Sequence, residues 1–331
     1  MPVTGPDPSD PRWMGAAVAL GERGRGLTAP NPNVGCVVVR AGRIVGRGWT
    51  QAGGRPHAEA MALADAGALA RGAHAYVTLE PCCHLSPRGP ACADLLVEAG
   101  IAEVSVAIPD PDPRMRGEGV LRLEAAGIRV ATGLHRGPAS RSMAGFLTRI
   151  RAGRPYITLK LATSLDGGIA LASGESRWIT GPEARAHTHL ERARCDSILV
   201  GRGTLDADSP RLDVRLEGLE QRSPRRLVLT RHQAPPGWQS LAAPEGVFAL
   251  TGINDLLVEG GASAGAAFLR SDLVDRLMLY RAPILIGEGK SGLGDIGLGS
   301  LADAHGRWRI AESHVLGIDR LEVYERVREG C

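Results

Sequence analysis

Short apolar runs alternate with helical segments from Val34 to Thr132, and this rhythm constrains the fold most tightly. "WMGAAVALGERG" reads as a first helix, closed by the glycines from Gly24 to Gly26. "VGCVVVRAGRIVGRGW" reads as a hairpin turning at Ala41-Gly42. A helix beginning near Pro56, a strand from Ala75 to Leu79, a helix from Cys92 and a strand at Val104 follow. "GVLRLEAAG" and "IRVAT" add a further helix and strand. Strands alternating with helices predict an α/β fold whose parallel-rich sheet is covered on both faces.

The 331 residues are enough for about two domains, each with its own core. "HRGPASRSMAGFLTRIRAGRPY" breaks the rhythm with Gly, Pro, Ser and Arg, and part of it, Ala139 to Ile150, has a helical pattern. The domains are therefore expected at 1–148, with 1–12 a flexible arm, and at 149–331. In the second half, "YITLKLA", "DSILVG", "RRLVLT", "DLLVEGG" and "RLMLYRAPILI" read as strands, and "PEARAHTHLERAR" as a helix. Lys+Arg 39 against Asp+Glu 36 is too even for a polyanion partner, so no nucleic acid is expected. No stretch approaches the ~18 apolar residues of a membrane span, and the amino terminus lacks a signal-peptide pattern. A cytoplasmic protein is expected.

Chemistry concentrates in "HAEAMAL" at His57 and "LEPCCHLSPRGPAC" ending at Cys92. His57 offers an imidazole at a helix start. Cys82 follows a strand stopped by Pro81, where α/β folds place their sites. One imidazole and two thiolates, Cys82 and Cys92, suit Zn²⁺ and leave its fourth position for water. Bound zinc acidifies that water, and Glu59 is the group placed to move its proton. The H-x-E…P-C order is a deaminase signature. The competing reading is a closed structural zinc with Cys83 or His84 as fourth ligand.

The chain resembles the bifunctional riboflavin-biosynthesis family, a pyrimidine deaminase joined to a reductase. The resemblance rests on "NPNVGCVVV" at Asn31, "HAEAMAL", "AYVTLEPC" at Ala75 and "LKLATSLDGGIALASGESRWIT" at Leu159. It continues through "ADSPRLDVR" at Ala207 and "LLVEGGASAGAAFL" at Leu256. It implies a cytidine-deaminase-like three-layer domain followed by a dihydrofolate-reductase-like domain, with Zn²⁺ and NADPH as cofactors. The substrate it implies is a phosphorylated pyrimidine, deaminated and then reduced from ribosyl to ribityl. A homo-oligomer is expected. Carried over to this sequence, the NADPH positions are Ala162, Trp178, Thr204, Asp208, Gly261, Ala262, Ser263, Ala264, Gly265, Ala266 and Ala267. The ribosyl-phosphate positions are Ser176, Arg192, Leu212, Arg215 and Glu259, and the deaminase pocket positions are Asn31, Asn33, His84 and Arg88. Lys160 has a polarising, a phosphate or a plain surface role, and Asp166 is expected to cap the "DGG" turn.

Departures from the family pattern are local. Cys82 and Cys92 are one residue further apart than usual, and Cys83 replaces a small polar residue. Thr50 stands where the family commonly has a histidine. The segment from Arg231 to Ile253 is short, with "GVFAL" its one expected strand. It leaves Arg225, Arg226 and Arg231 as candidates for the cofactor's 2′-phosphate. Two other function classes share parts of the pattern. A transfer-RNA editing deaminase usually carries C-x-x-C and needs no dinucleotide loop. A binding module would bind the same molecules without turnover.

Overall fold

A computed structural model describes residues 10–84, 88–113 and 115–328. The chain forms two compact units, 1–153 and 154–331. Unit one contains α1 (Pro11–Gly21), β1 (Gly35–Arg40), β2 (Arg43–Trp49), α2 (Ala58–Ala66), β3 (His74–Val77) and α3 (Cys92–Glu98). It continues with β4 (Glu103–Val106), α4 (Glu118–Ala125), β5 (Arg129–Thr132), α5 (Arg136–Ser142) and α6 (Ala144–Ala152). The expected boundary at 148 falls inside α6. That helix runs on until Gly153 takes a left-handed φ of 67°, a helix stop that glycine adopts without strain.

The sheet order is β2-β1-β3-β4-β5. β1 is antiparallel to both its neighbours, and β3, β4 and β5 run parallel. Small residues bring α2 onto this sheet. A Cβ on Gly46 would lie 2.1 Å from the Ala62 carbonyl oxygen, and one on Gly48 2.1 Å from that of Ala58. The glycines of "VGRGW" and the alanines of "HAEAMALADA" are thus two halves of one close contact. It sets the depth of the helix that begins beside His57. The core behind it includes Met14, Val37, Tyr76, Leu96 and Leu123, all fully buried.

The sequence places the first helix at Trp13, but it starts at Pro11. Asp10 accepts the Arg12 N–H, and Pro11 fills the first turn, where no N–H is needed. The rest of the expected arm, 1–9, lies outside the described residues. The strand expected to reach Leu79 stops at Val77.

Unit two contains β6 (Tyr156–Thr163), β7 (Gly168–Ala170), α7 (Pro182–Ala193), β8 (Ser197–Gly201), α8 (Arg202–Asp208), β9 (Arg225–Leu229) and β10 (Trp238–Leu241). Then come β11 (Asp255–Val258), α9 (Ala262–Arg270), β12 (Arg276–Arg281), β13 (Lys290–Ser291), β14 (Trp308–Leu316) and β15 (Asp319–Arg326). Its main sheet has the order β10-β9-β8-β11-β6-β12-β15-β14. From β10 to β12 every neighbour is parallel, and a carboxy-terminal hairpin completes the sheet antiparallel. Arg154 anchors the entry. Its guanidinium grips the Asp275 carboxylate at 2.6 and 2.9 Å, both side chains buried.

The short segment after β9 differs from expectation. "GVFAL" is not a strand but part of a 3-10 helix, Pro244–Ala249, begun by a proline. The strand in this interval is β10, "WQSL", paired in parallel with β9. Among the described residues no helix is long and apolar enough to cross a membrane.

Candidate active sites

In unit one, His57 precedes α2 as its cap residue, Cys92 is the first residue of α3, and Cys82 lies beyond the end of β3. His57 Nδ1 is 3.3 Å from Cys92 Sγ and 3.6 Å from Cys82 Sγ. The three donor atoms lie within 4.8 Å of one another. Donors on one tetrahedral Zn²⁺ stand about 3.5–3.8 Å apart, given its usual bond lengths. Both His–Cys distances are close to that spacing, so the residues fit zinc. The Cys92 N–H donates to Cys82 Sγ at 3.4 Å. Hydrogen bonding from Cys92, helped by His57, overcomes burial and lowers the Cys82 thiol to about 4. Cys92, as the hydrogen-bond donor, is held in its thiol form and shifted up. A thiolate is therefore already favoured in the cluster.

Glu59 is 3% exposed. Burial pushes its carboxyl up to about 6, against the opposing pull of His57. A carboxyl raised toward neutrality beside three metal ligands can both take and return a proton. Cys83, by contrast, is outside the cluster, and burial with nearby negative charge pushes its thiol up. His84 is exposed.

The pocket residues divide. Asn31 donates to the Gly54 carbonyl at 2.8 Å, on the loop leading to His57. Arg88 donates to the Gly53 carbonyl at 2.6 Å. Asn33 faces elsewhere. It is buried, with its amide given to the Gly21 carbonyl and to Ser142, which makes it a brace between α1 and α5. Sequence reasoning passed over Glu80. Its buried carboxylate accepts backbone N–H groups of Asp110, Gly117, Gly119 and Val120, fixing the start of α4 behind Cys82. The available signal was a glutamate inside the apolar "VTLEP".

In unit two the predicted residues gather beyond the carboxyl ends of β8, β11 and β6, where parallel sheets bind ligands. Gly261 N–H donates to Thr204 Oγ1 at 3.1 Å, joining the starts of α9 and α8. A Cβ on Gly260 would lie 2.8 Å from that of Ala264, so only glycine fits this cradle. The N–H groups of Ala264 and Gly265 already close onto the Gly261 carbonyl. Ala264 and Ala266 are buried in α9, and Gly265 faces Leu159. With the Gly261 N–H given to Thr204 and those of Ala264 and Gly265 to the Gly261 carbonyl, the N–H groups left at the start of α9 are those of Ala262 and Ser263. Arg177 donates to the Asp208 carbonyl at 3.3 Å, bringing the Ser176–Trp178 segment to the end of α8. Trp178 is 68% exposed and lies under the Arg185 guanidinium, so it is not a core aromatic. Ala162 is half-buried on β6.

Arg192 forks onto Glu259 at 2.7 and 2.9 Å, and its third nitrogen bonds the Asp213 carbonyl. Burial alone would raise Glu259, but Arg192, with Lys160 behind it, brings its carboxyl below the usual range. Burial lowers the Lys160 ammonium. Arg215 is exposed and meets His189 at 3.4 Å. Leu212 packs its side chain into the core with Ile198 and Leu257, which leaves its backbone for any ligand. Asp166 does not cap the turn as expected: the Gly168 N–H goes to Ser164 Oγ at 2.8 Å, while Asp166 accepts from Ser164 at 2.5 Å and from the backbone N–H groups of Ile286 and Gly287, tying the turn to that segment. Arg225 and Arg226 begin β9, at the opposite end of the strand from this cluster, and Arg226 lies over Trp238. Of the three arginines proposed for the cofactor's outer phosphate, only Arg231 follows the carboxyl end.

These two units define a zinc-site deaminase domain followed by a reductase-type α/β domain. Residues 8–108 match the cytidine and deoxycytidylate deaminase zinc-binding region, and residues 155–245 and 247–319 match the RibD C-terminal domain. The chain is similar to the riboflavin biosynthesis protein RibD of Escherichia coli K12, 41% identical over 89% of this chain and 94% of that one. Among solved structures it resembles Acinetobacter baumannii RibD, with a TM-score of 0.87 and 35% identity over 97% of this chain and 99% of that one. It also resembles the Thermotoga maritima diaminohydroxyphosphoribosylaminopyrimidine deaminase/5-amino-6-(5-phosphoribosylamino)uracil reductase. There the TM-score is 0.87 and the identity 30%, over 96% and 98% of the two chains. The chain belongs to the RibD family, the bifunctional deaminase–reductases of riboflavin biosynthesis.

Proposed function

We propose that residues 1–153 deaminate 2,5-diamino-6-ribosylamino-4(3H)-pyrimidinone 5′-phosphate at its 2-amino group, and that residues 154–331 reduce the product's ribosyl chain to ribityl. The observation that carries the first step is the buried Glu59 beside the His57–Cys82–Cys92 cluster. His57, Cys82 and Cys92 would hold zinc, which would supply a Lewis acid able to make water nucleophilic near neutral pH. Glu59 takes the proton from the attacking water and returns it to the departing amine, so ammonia leaves neutral. Asn31 and Arg88 line the approach to this pocket.

For the second step, the Gly261–Ser263 turn holds the pyrophosphate of NADPH, with Trp178, Thr204, Asp208 and Ala162 about its nicotinamide half. NADPH supplies the hydride. Ser176, Arg215, Glu259 and the Leu212 backbone orient the sugar phosphate. Arg192 acts through Glu259, whose carboxylate it holds charged and in place. Lys160, next to Glu259 and with burial easing loss of its proton, is placed to assist at the sugar carbon.

The protein is assigned to the cytoplasm as a homo-oligomer. β14 supports the oligomer: it is an edge strand exposed along seven consecutive residues, with Ile310 60% and Val315 78% exposed. Ammonia release from the phosphorylated diaminopyrimidine tests the deaminase, and NADPH oxidation by the deaminated product tests the reductase. A zinc-loaded protein that binds the pyrimidine and releases no ammonia would be a binding module.

A further inference from the structure

We propose that Arg55 is a second cation for the substrate phosphate in the deaminase half, acting with Arg88 across the mouth of the pocket. The inference rests on the deaminase reading above and adds a specificity-determining residue to it. Arg55 lies on the loop that enters α2, two residues before His57. Its Nη1 reaches the metal loop: it is 3.4 Å from the Pro90 carbonyl oxygen and 2.9 Å from where a Cβ on Gly89 would stand. Arg88 makes the reverse crossing, from the metal loop to the Gly53 carbonyl at 2.6 Å. Two guanidinium groups are thus laid across each other's loops.

An anion bound at this rim would meet cations from both loops. Among the described residues no carboxylate forms an ion pair with Arg55. Among the described residues its one hydrogen bond goes to a carbonyl, which leaves N–H donors of the fork for a ligand. Gly89 keeps the approach open, since a side chain there would meet the guanidinium. The position is also right for a nucleotide-sized substrate. Pro90 is two residues from Cys92, a span of at most about 7 Å. With the ring at the metal, the ribose bridges to a phosphate at this rim. Thr50 cannot serve there: it is 2% exposed, and its hydroxyl accepts the Val34 N–H. Arg55 therefore supplies charge on a loop whose position 50 has turned inward. Arginine suits the role because its fork matches phosphate geometry.

The test compares ammonia release by the full chain and by Arg55→Gln, with the phosphorylated substrate and with the same compound dephosphorylated. The expected result is a KM raised about 10- to 100-fold for the phosphorylated substrate, the worth of one charge-assisted contact. kcat should stay within about twofold, zinc stoichiometry should hold, and KM for the dephosphorylated compound should not move. Inorganic phosphate should inhibit the wild type competitively and the variant more weakly, and Arg55→Lys should recover part of the loss. Equal KM changes on both substrates, an unchanged KM, or zinc loss would each overturn the role. Wild-type protein that releases no ammonia at all would instead refute the deaminase reading.

Discussion

His57 Nδ1 lies 3.3 Å from Cys92 Sγ across 35 residues of sequence, and Glu59 is buried two residues from that histidine. The helix that His57 caps and that carries Glu59 is set by the Gly46–Ala62 and Gly48–Ala58 contacts. Glu59→Gln keeps the shape and removes the proton carrier. It should retain zinc and thermal stability while ammonia release falls by at least ~10²-fold, the usual scale for a general acid–base. Zinc loss in this variant would make Glu59 a ligand, and near-wild-type turnover would remove it from the mechanism.

Cys82 and Cys83 are neighbours with different surroundings. Cys82 meets His57 and Cys92, whereas Cys83 stands apart from the cluster. Cys83→Ser should bind zinc stoichiometrically, and Cys82→Ser should not. Equal loss in both would point to a closed structural site with a different ligand set.

His74 makes the acid stability of unit one predictable. It is 5% exposed, stacks on Tyr76 and bonds Ser105 at 2.9 Å. Burial, and then the Arg129 charge, lower it from 6.5 to about 4. Glu103 is 3.4 Å away but is also paired with Arg129, so it does little to hold a proton on the ring. Between these values the unfolded chain binds the extra proton and the folded one does not. Stability from this group is complete above about pH 6.5 and is lost as pH falls toward 4, at most about 3 kcal/mol. His74→Gln should flatten that part of a melting-temperature profile. An unchanged acid limb would remove His74 as its cause.

Arg231 is the one arginine of three that follows the carboxyl end of β9, on a rim reduced to β10 and a 3-10 turn. NADPH should bind with only a modest preference over NADH, and Arg231→Ala should abolish what preference there is. A strong NADPH preference that survives the substitution would mean that another loop reads the 2′-phosphate. Binding of neither nucleotide would leave a deaminase with an inactive second domain.

Much of this was legible in the sequence because it depends on local order. The H-x-E…P-C residues sit at the starts of helices and beyond a strand end, and their spacing shows in one dimension. The alternation of strands and helices likewise shows the parallel part of the first sheet, β3 to β5. What was not legible depends on long-range contacts. β14 is missed because "WRIAESHVL" is exposed on both faces, and without it β15 stands as a lone alternating run, Leu321 and Val323. Asn33 looked like a pocket residue until α5 was found to claim its amide. Arg192 falls on a ribosyl-phosphate position by sequence, but its guanidinium is filled by Glu259, 67 residues on.

The central claim is that two chemistries act in sequence on one phosphorylated pyrimidine. The most direct measurement incubates the zinc-loaded chain with the diaminopyrimidine substrate, with and without NADPH, and identifies the products by mass. Without NADPH, the product should have lost NH and gained O, a net gain of about one mass unit, with one ammonia released per turnover. With NADPH, that product should gain two hydrogens as one NADPH is oxidised. Reduction without prior deamination, or no change in mass under either condition, would contradict the account.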